Sequence, residues 1–182
     1  VFAPTGSASF DFYGGKRTGN NLYADCLLAL DAATGKLKWH FQEIHHDVWD
    51  KDLPAPPSLV TIVKDGKKIE AVAQTTKTGF VFVLDRETGK PVFPMSEKSV
   101  PVNTLLPGEK LSPTQPFPSL PEAFVRQAFT EADINDLLPD SSYNAVRKRF
   151  QGYLSGNMFN PPSEQGTIIL PGFDGGGEWG GP

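Results

Sequence analysis

The sequence predicts an all-β fold of stacked repeats, and three observations predict it. Residues 30–39, LDAATGKLKW, return 54 positions later as residues 84–93, LDRETGKPVF, with Leu, Asp, Thr, Gly and Lys in register. A self-match at a fixed distance marks supersecondary units that stack on one another. The chain also holds 17 Pro and 18 Gly among 182 residues, above the usual joint share of about 12%, as many short strands and turns require. Finally, β-branched runs at 58–63 and 69–73 flank Asp65-Gly66, a strong two-residue hairpin signal.

The elements follow in order. Residues 1–20 read as a Gly/Ser-rich loop. Residues 22–42 form the first repeat hairpin: an apolar run enters Asp-x-x-Thr-Gly-Lys, Gly35 supplies the positive φ of the turn, and the return strand reaches Trp39. Residues 45–57 are irregular, with HHDVWDKD leading into PAPP. The hairpin around Asp65-Gly66 comes next. Residues 80–84 and 91–93, turning at Gly89, make the second repeat hairpin. The Pro-rich stretch 94–120 is expected to run extended over a surface. Two helices are then expected, one capped by Thr130 with Asp133 over TEADINDLL, the other capped by Asp140 or Ser141 and running through Phe150. Residues 167–170 read as one more strand before a Gly-rich end. Mainly β repeats of about 50 residues point to propeller blades, in one domain over 1–182 with an extended and helical insertion at about 94–150.

Bulk composition excludes several functions. The apolar share is 38% and no apolar run approaches the roughly 18 residues a membrane helix needs. A net charge of −4 leaves no basic stripe for nucleic acid. The Arg147-Lys148-Arg149 cluster reads as a solvated helix face. A lone cysteine, Cys26, excludes an internal disulfide and reads as a small core residue. No secretion leader is recognisable, and both ends read as cut from a longer chain.

Three segments carry polar residues that a packed β repeat does not need. In His45-His46-Asp47-Val48-Trp49-Asp50, paired histidines and aspartates suggest a metal site. Adjacent strand residues point to opposite faces, so hydrogen-bonded loop anchoring is the favoured reading for His45, His46 and Asp47. Lys77 stands just before a buried run, at a strand mouth, where an ordinary edge charge is the common alternative. The end, PPSEQGTIILPGFDGGGEWGG, has glycines that allow close backbone approach or sharp turns.

HFQEIHHDVWDKDLPAPPSL, QTTKTGFVFVLDRETGKP and PPSEQGTIILPGFDGGGEWGG together closely resemble the quinoprotein dehydrogenases that use pyrroloquinoline quinone (PQQ), nearest the glucose, polyol and alcohol dehydrogenase branch. The resemblance covers nearly the whole chain. It implies part of an eight-bladed propeller whose blades are locked by A-x-D-x-x-T-G-K-x-x-W repeats. Residues 29–39 match that pattern fully; the second copy has Val83 and Phe93 in the Ala and Trp places. It further implies a sugar or alcohol substrate, PQQ with Ca2+ or Mg2+, a cytochrome c or ubiquinone acceptor, and a periplasmic location, with membrane association only through parts outside this chain.

By the same resemblance, Asp50 is the general base and a metal ligand, and Lys77, 27 positions on, bonds the quinone oxygens. Ser7 falls on a metal-ligand position usually held by Asn or Thr. Glu178 and Trp179 fall on a cofactor-contacting segment where relatives often have Asn in place of the glutamate. The metal-binding acidic residue of the family's N-terminal blades and the vicinal cysteine pair of some alcohol-oxidising relatives have no counterpart here. The chain reads as about the middle third of such a propeller and by itself is expected to be inactive. The rival reading is a non-catalytic propeller scaffold of the outer-membrane assembly lipoprotein type. It shares the repeat turns but has no use for Trp49-Asp50 together with Lys77.

Overall fold

In both repeat copies an aspartate folds the turn around its own carboxylate. Asp31 Oδ1 accepts from the Ala33 and Thr34 amides and from Thr34 Oγ1 at 3.1, 2.9 and 2.8 Å. Asp85 Oδ1 accepts from Glu87 N, Thr88 N and Thr88 Oγ1 at 3.1, 2.8 and 2.7 Å. These bonds, the threonine hydroxyl's first, hold both carboxyls below the usual carboxylate range. Gly35 (φ +69°) and Gly89 (φ +70°) close the turns with amide bonds back to the aspartate carbonyls, as the sequence predicts.

The structure, a computed structural model, describes residues 1–180. Strands β1 (Phe2–Pro4), β2 (Cys26–Leu30) and β3 (Leu37–Gln42) form one antiparallel sheet. Strands β4 (Ser58–Lys64), β5 (Lys67–Thr75) and β6 (Val81–Asp85) form a second, with Asp65 and Gly66 at positive φ between β4 and β5. The second repeat is less complete than the first. Its return segment makes only a bridge from Leu84 to Pro91 and one Val92–Val83 bond, because proline has no amide to give a ladder.

The expected extended stretch is partly paired: β7 (Met95–Ser99) and β8 (Thr114–Pro118) form a hairpin. Helix α1 spans Asp140–Gln151. The earlier expected helix is reduced to one 3₁₀ turn, Glu131–Asp133. Asp133 Oδ2 does take the Thr130 amide at 2.7 Å, but Asn135 Oδ1 then bonds the Leu137 amide at 3.0 Å. That side-chain bond competes with helix continuation, and Pro139 disfavours it further. The strand expected at 167–170 is a single parallel bridge, Leu154 to Thr167. Among the described residues no second strand lies beside it to complete a ladder.

Trp39 couples the two sheets. Its ring lies 5.6 Å from Phe2, packs on the buried cluster Leu27, Val72 and Leu84, and donates from Nε1 to Arg86 O at 3.2 Å. The indole fills the space beside Gly89, where a Cβ would come within 2.6 Å of it, whereas a Cβ on Gly35 meets nothing. Gly35→Ala should therefore cost only left-handed strain, about 1–2 kcal/mol. Gly89→Ala should add overpacking of about 1–3 kcal/mol. Denaturant midpoints of the two variants check this; equal losses would show that the glycine–indole contact carries no weight.

Candidate active site

The segment after β3 is built on Trp49. The indole is fully buried, packs edge-on to Phe159 at 5.4 Å, and donates to Asn160 O at 2.7 Å. Asp47 accepts the amides of Trp49 (2.9 Å) and Lys51 (2.8 Å), which curls the chain tightly between them. Asp50, at the crest, has φ +55°, a conformation that non-glycine residues adopt only where the surroundings enforce it. The result is an aspartate fixed by its neighbours rather than by its own preference.

Lys77 arrives from the turn between β5 and β6. Thr76 Oγ1 bonds Thr78 Oγ1 at 2.6 Å and Phe80 O at 2.9 Å, and Gly79 reverses the chain at φ +78°. The Lys77 ammonium lies 2.7 Å from Asp52 Oδ1, 3.1 Å from Asp50 Oδ2 and 3.9 Å from Glu178 Oε1. Lys77 is 7% exposed. Burial alone would lower its pKa, but the Asp52 and Asp50 contacts outweigh burial and hold it above the ordinary lysine value. The carboxylates keep part of their surface, with side-chain exposures of 29% for Asp50 and 35% for Glu178. One face of the cluster is thus accessible to a ligand.

Glu178 reaches the cluster on the glycine run. Gly176 and Gly177 donate to Lys77 O and Thr76 O, each at 2.9 Å. A Cβ on Gly175 would lie 2.5 Å from Lys77, and one on Gly176 would lie 2.9 Å from Gly79. The glycines therefore serve close backbone approach to the Lys77 turn. Trp179, the next residue after Glu178, is 84% exposed.

Ser7 is placed beside this cluster, within a separate carboxyl group. Its hydroxyl lies 2.5 Å from Asp47 Oδ2 and 3.2 Å from Asp25 Oδ1. One hydroxyl proton cannot serve both. Burial, then the nearby Asp47, raises Asp25 well above the usual range; burial also raises Asp47, against three hydrogen bonds. The shorter contact is to Asp47, and the Ser7 hydroxyl joins two buried carboxyls, of which Asp25 is pushed well above the usual range. Glu43 is fully buried with neither oxygen bonded, and burial likewise pushes its carboxyl well above the usual range. The histidines diverge, as the anchoring reading requires. His45 faces Gln42 and Glu97, and His46 faces Gly19 O and Glu109.

Sequence reasoning missed two residues. Asp52 makes the shortest contact to Lys77; its i+2 spacing from Asp50 was the available signal. Lys51, between them, is completely buried. It donates from Nζ to Pro171 O and, at 2.9 Å, to Gly172 O, and burial lowers its pKa to about 8. A groove of about 720 Å3 between the first sheet and Arg86 lies away from the cluster and is lined by Phe2, Lys38 and Glu87 among others.

Comparison with known proteins places this arrangement. The family described as glucose/ethanol/alcohol dehydrogenase, beta-propeller domain, of the PQQ type, matches residues 1–182. The chain belongs to this quinoprotein dehydrogenase family. It is 41% identical over 184 residues to the quinoprotein glucose dehydrogenase of Escherichia coli, covering 100% of this chain and 22% of that protein. It is 39% identical to the quinate/shikimate dehydrogenase (quinone) of Acinetobacter baylyi, covering 99% and 22%. It is 35% identical to the glycerol dehydrogenase large subunit of Gluconobacter oxydans, covering 99% and 24%. The quinohemoprotein alcohol dehydrogenase structure from Comamonas testosteroni aligns with TM-score 0.47 and 32% identity over 74% of this chain and 18% of that one. The chain thus spans about a quarter or less of the curated quinoproteins it matches, and its two three-stranded sheets are blades of a partial propeller.

The cluster's chemistry fits the family's cofactors. Asp50, Asp52 and Glu178 present hard carboxylate oxygens against one ammonium, an excess of negative charge that suits Ca2+ or Mg2+. Among the described residues these oxygens converge on Lys77 and form no three-ligand metal group of their own. The ammonium and the exposed Trp179 face suit a planar, oxygen-rich quinone.

The raised Asp25 carboxyl predicts a pH effect. A buried carboxyl with a raised folded pKa binds more protons folded than unfolded, so its stability contribution falls as pH rises above the unfolded value of about 4. Asp25→Asn should therefore gain in stability relative to the wild type as pH rises from about 4 towards neutrality. Urea midpoints of both proteins across that window check it; a constant difference would mean that Asp25 is ionised in the folded state.

Proposed function

We propose that this chain carries the reactive centre of a PQQ-dependent dehydrogenase that oxidises a CH–OH group of a sugar or alcohol. The carrying observation is the meeting of Asp50 and Lys77, 27 residues apart, at 3.1 Å on a partly open face. Bound PQQ would supply the two-electron acceptor, and a divalent cation held by Asp50 would polarise it, with Ser7 as the second ligand only if its hydroxyl turned from Asp47 and Asp25 towards the cation.

The chain's own residues supply the rest. Asp50 is the proton acceptor: a carboxylate oxygen within about 2.6–3.2 Å of a substrate hydroxyl can take its proton as the hydride leaves. The left-handed backbone and the buried Trp49 keep that oxygen in place. Lys77 is a fixed positive charge for the negative charge that develops on reduction, and Asp52 holds its ammonium in position. Glu178 borders the same opening. Trp179 offers an aromatic face for a planar ring. The repeat turns would suit a binding scaffold equally well, but a scaffold has no need of a lysine buried against three carboxylates.

The relatives' names, glucose, glycerol and quinate/shikimate dehydrogenases, support a hydroxylated small molecule as substrate. The suffix "(quinone)" on one of them supports a quinone over cytochrome c as acceptor. A periplasmic location belongs to the same proposal. Among the described residues no helix is long and apolar enough to cross a membrane; membrane association through other parts of the protein belongs to the same proposal.

Asp50→Asn in the full-length protein should lower dye-coupled turnover by about 10²–10⁴-fold while quinone remains bound. Asparagine tolerates the left-handed backbone, so the fold should be kept. Turnover close to wild type with the quinone bound would remove Asp50 from the role of base.

A further inference from the structure

We propose that Lys51 is a positioning residue that holds the C-terminal glycine run, and Glu178 with it, against the Lys77 cluster. The inference rests on reading that cluster as the reactive centre. Lys51 is fully buried, an unusual place for an ammonium. It forms no ion pair with any described carboxylate; both acceptors of its Nζ are main-chain carbonyls, Pro171 O and Gly172 O, some 120 residues downstream. Among the described residues, those carbonyls belong to a segment with no strand partner beyond the bridge at Thr167. Pro171 is buried and Gly172 is exposed, so without Lys51 the Pro171 carbonyl would be a buried polar group in need of another donor.

The contacts close a ring. Asp50 and Asp52, the chain neighbours of Lys51, both reach Lys77. Lys51 itself reaches residues 171 and 172. Three residues further on, the glycine run lies on the Lys77 turn, through Gly176 N to Lys77 O and Gly177 N to Thr76 O. Glu178 then returns to Lys77 Nζ at 3.9 Å. One residue thus sets two things at once. Its backbone fixes the spacing of the two aspartates, and its side chain fixes how far the glycine run can stand from them. Lysine suits the task because its long stem spans the buried layer and its head carries several donors and no acceptor.

The test is hydrogen exchange at single amides in the full-length protein without added quinone, comparing wild type, Lys51→Met and Lys51→Arg. Methionine fills the slot but donates nothing; arginine restores donors to both carbonyls. Lys51→Met should speed exchange of the Gly176 and Gly177 amides about tenfold or more, with β5 and β6 amides unchanged. Lys51→Arg should return the glycine amides towards wild-type protection. The quinone dissociation constant, from fluorescence titration, should weaken in the methionine variant in parallel.

Unchanged exchange at Gly176 and Gly177 in Lys51→Met overturns the proposal. So does uniform acceleration across both sheets, which would make Lys51 a general stabiliser. So does an arginine variant that folds yet exchanges like the methionine one; should the arginine variant fail to fold, the contrast between glycine and β5 amides in Lys51→Met decides alone. None of these readings depends on turnover. An active Asp50→Asn would therefore sink the reading of the reactive centre without touching the exchange result, and the reverse also holds.

Discussion

A lysine ammonium withdrawn from water and ringed by carboxylates is the constraint on which the rest of this structure depends. Lys77 is stable where it sits because Asp52 and Asp50 replace the water it has lost. Meeting that requirement takes three segments remote in sequence: the loop after β3, the turn between β5 and β6, and the glycine run near the end of the chain. Each arrives by different means. Trp49 anchors the first in the core, threonine hydroxyls shape the second, and the absence of side chains lets the third lie flat on it.

The blades give this cluster its footing. β5 and β6 bring the Lys77 turn to the end of a ladder whose register is fixed over five paired positions. Trp39 ties that ladder to the first sheet. The Trp49 loop is braced from the other side by the β7–β8 hairpin, where the buried Gln115 exchanges 2.8 Å bonds with both the amide and the carbonyl of His45. The histidine pair that suggests a metal in the sequence is part of this bracing. His46 and Glu109 are both almost wholly buried and bond each other at 2.8 Å.

The acidic residues divide by what faces them. Asp50, Asp52 and Glu178 face an ammonium and an opening. Asp25 and Glu43 face the interior, and burial pushes both well above the usual carboxylate range. Identical functional groups are thereby given different surroundings, the means by which one site can assign them different acid–base roles. Ser7 and Asp47 lie where the two groups meet: Asp47 receives the hydroxyl proton of Ser7 and organises the amides on either side of Asp50.

The sequence by itself determined the features that arise from bonds within a few residues. The paired Asp-x-x-Thr-Gly-Lys turns, the Asp65-Gly66 hairpin and helix α1 are local, because an aspartate oxygen, a left-handed glycine or a run of helix formers acts on its immediate neighbours. The resemblance carried by Trp49-Asp50 and Lys77 also lies in the sequence, and the two side chains do meet. Tertiary structure alone decided the rest. Nothing in TEADINDLL announces that Asn135 will win its turn from the helix, and nothing in 167–170 shows that no neighbouring strand will arrive. Asp52 and Lys51 look like surface charges in WDKD. One is drawn to a lysine 25 positions away and the other is buried under carbonyls 120 positions away. Their roles come from burial and from long-range convergence, which depend on where the whole chain goes and leave no periodic trace in the residues that undergo them.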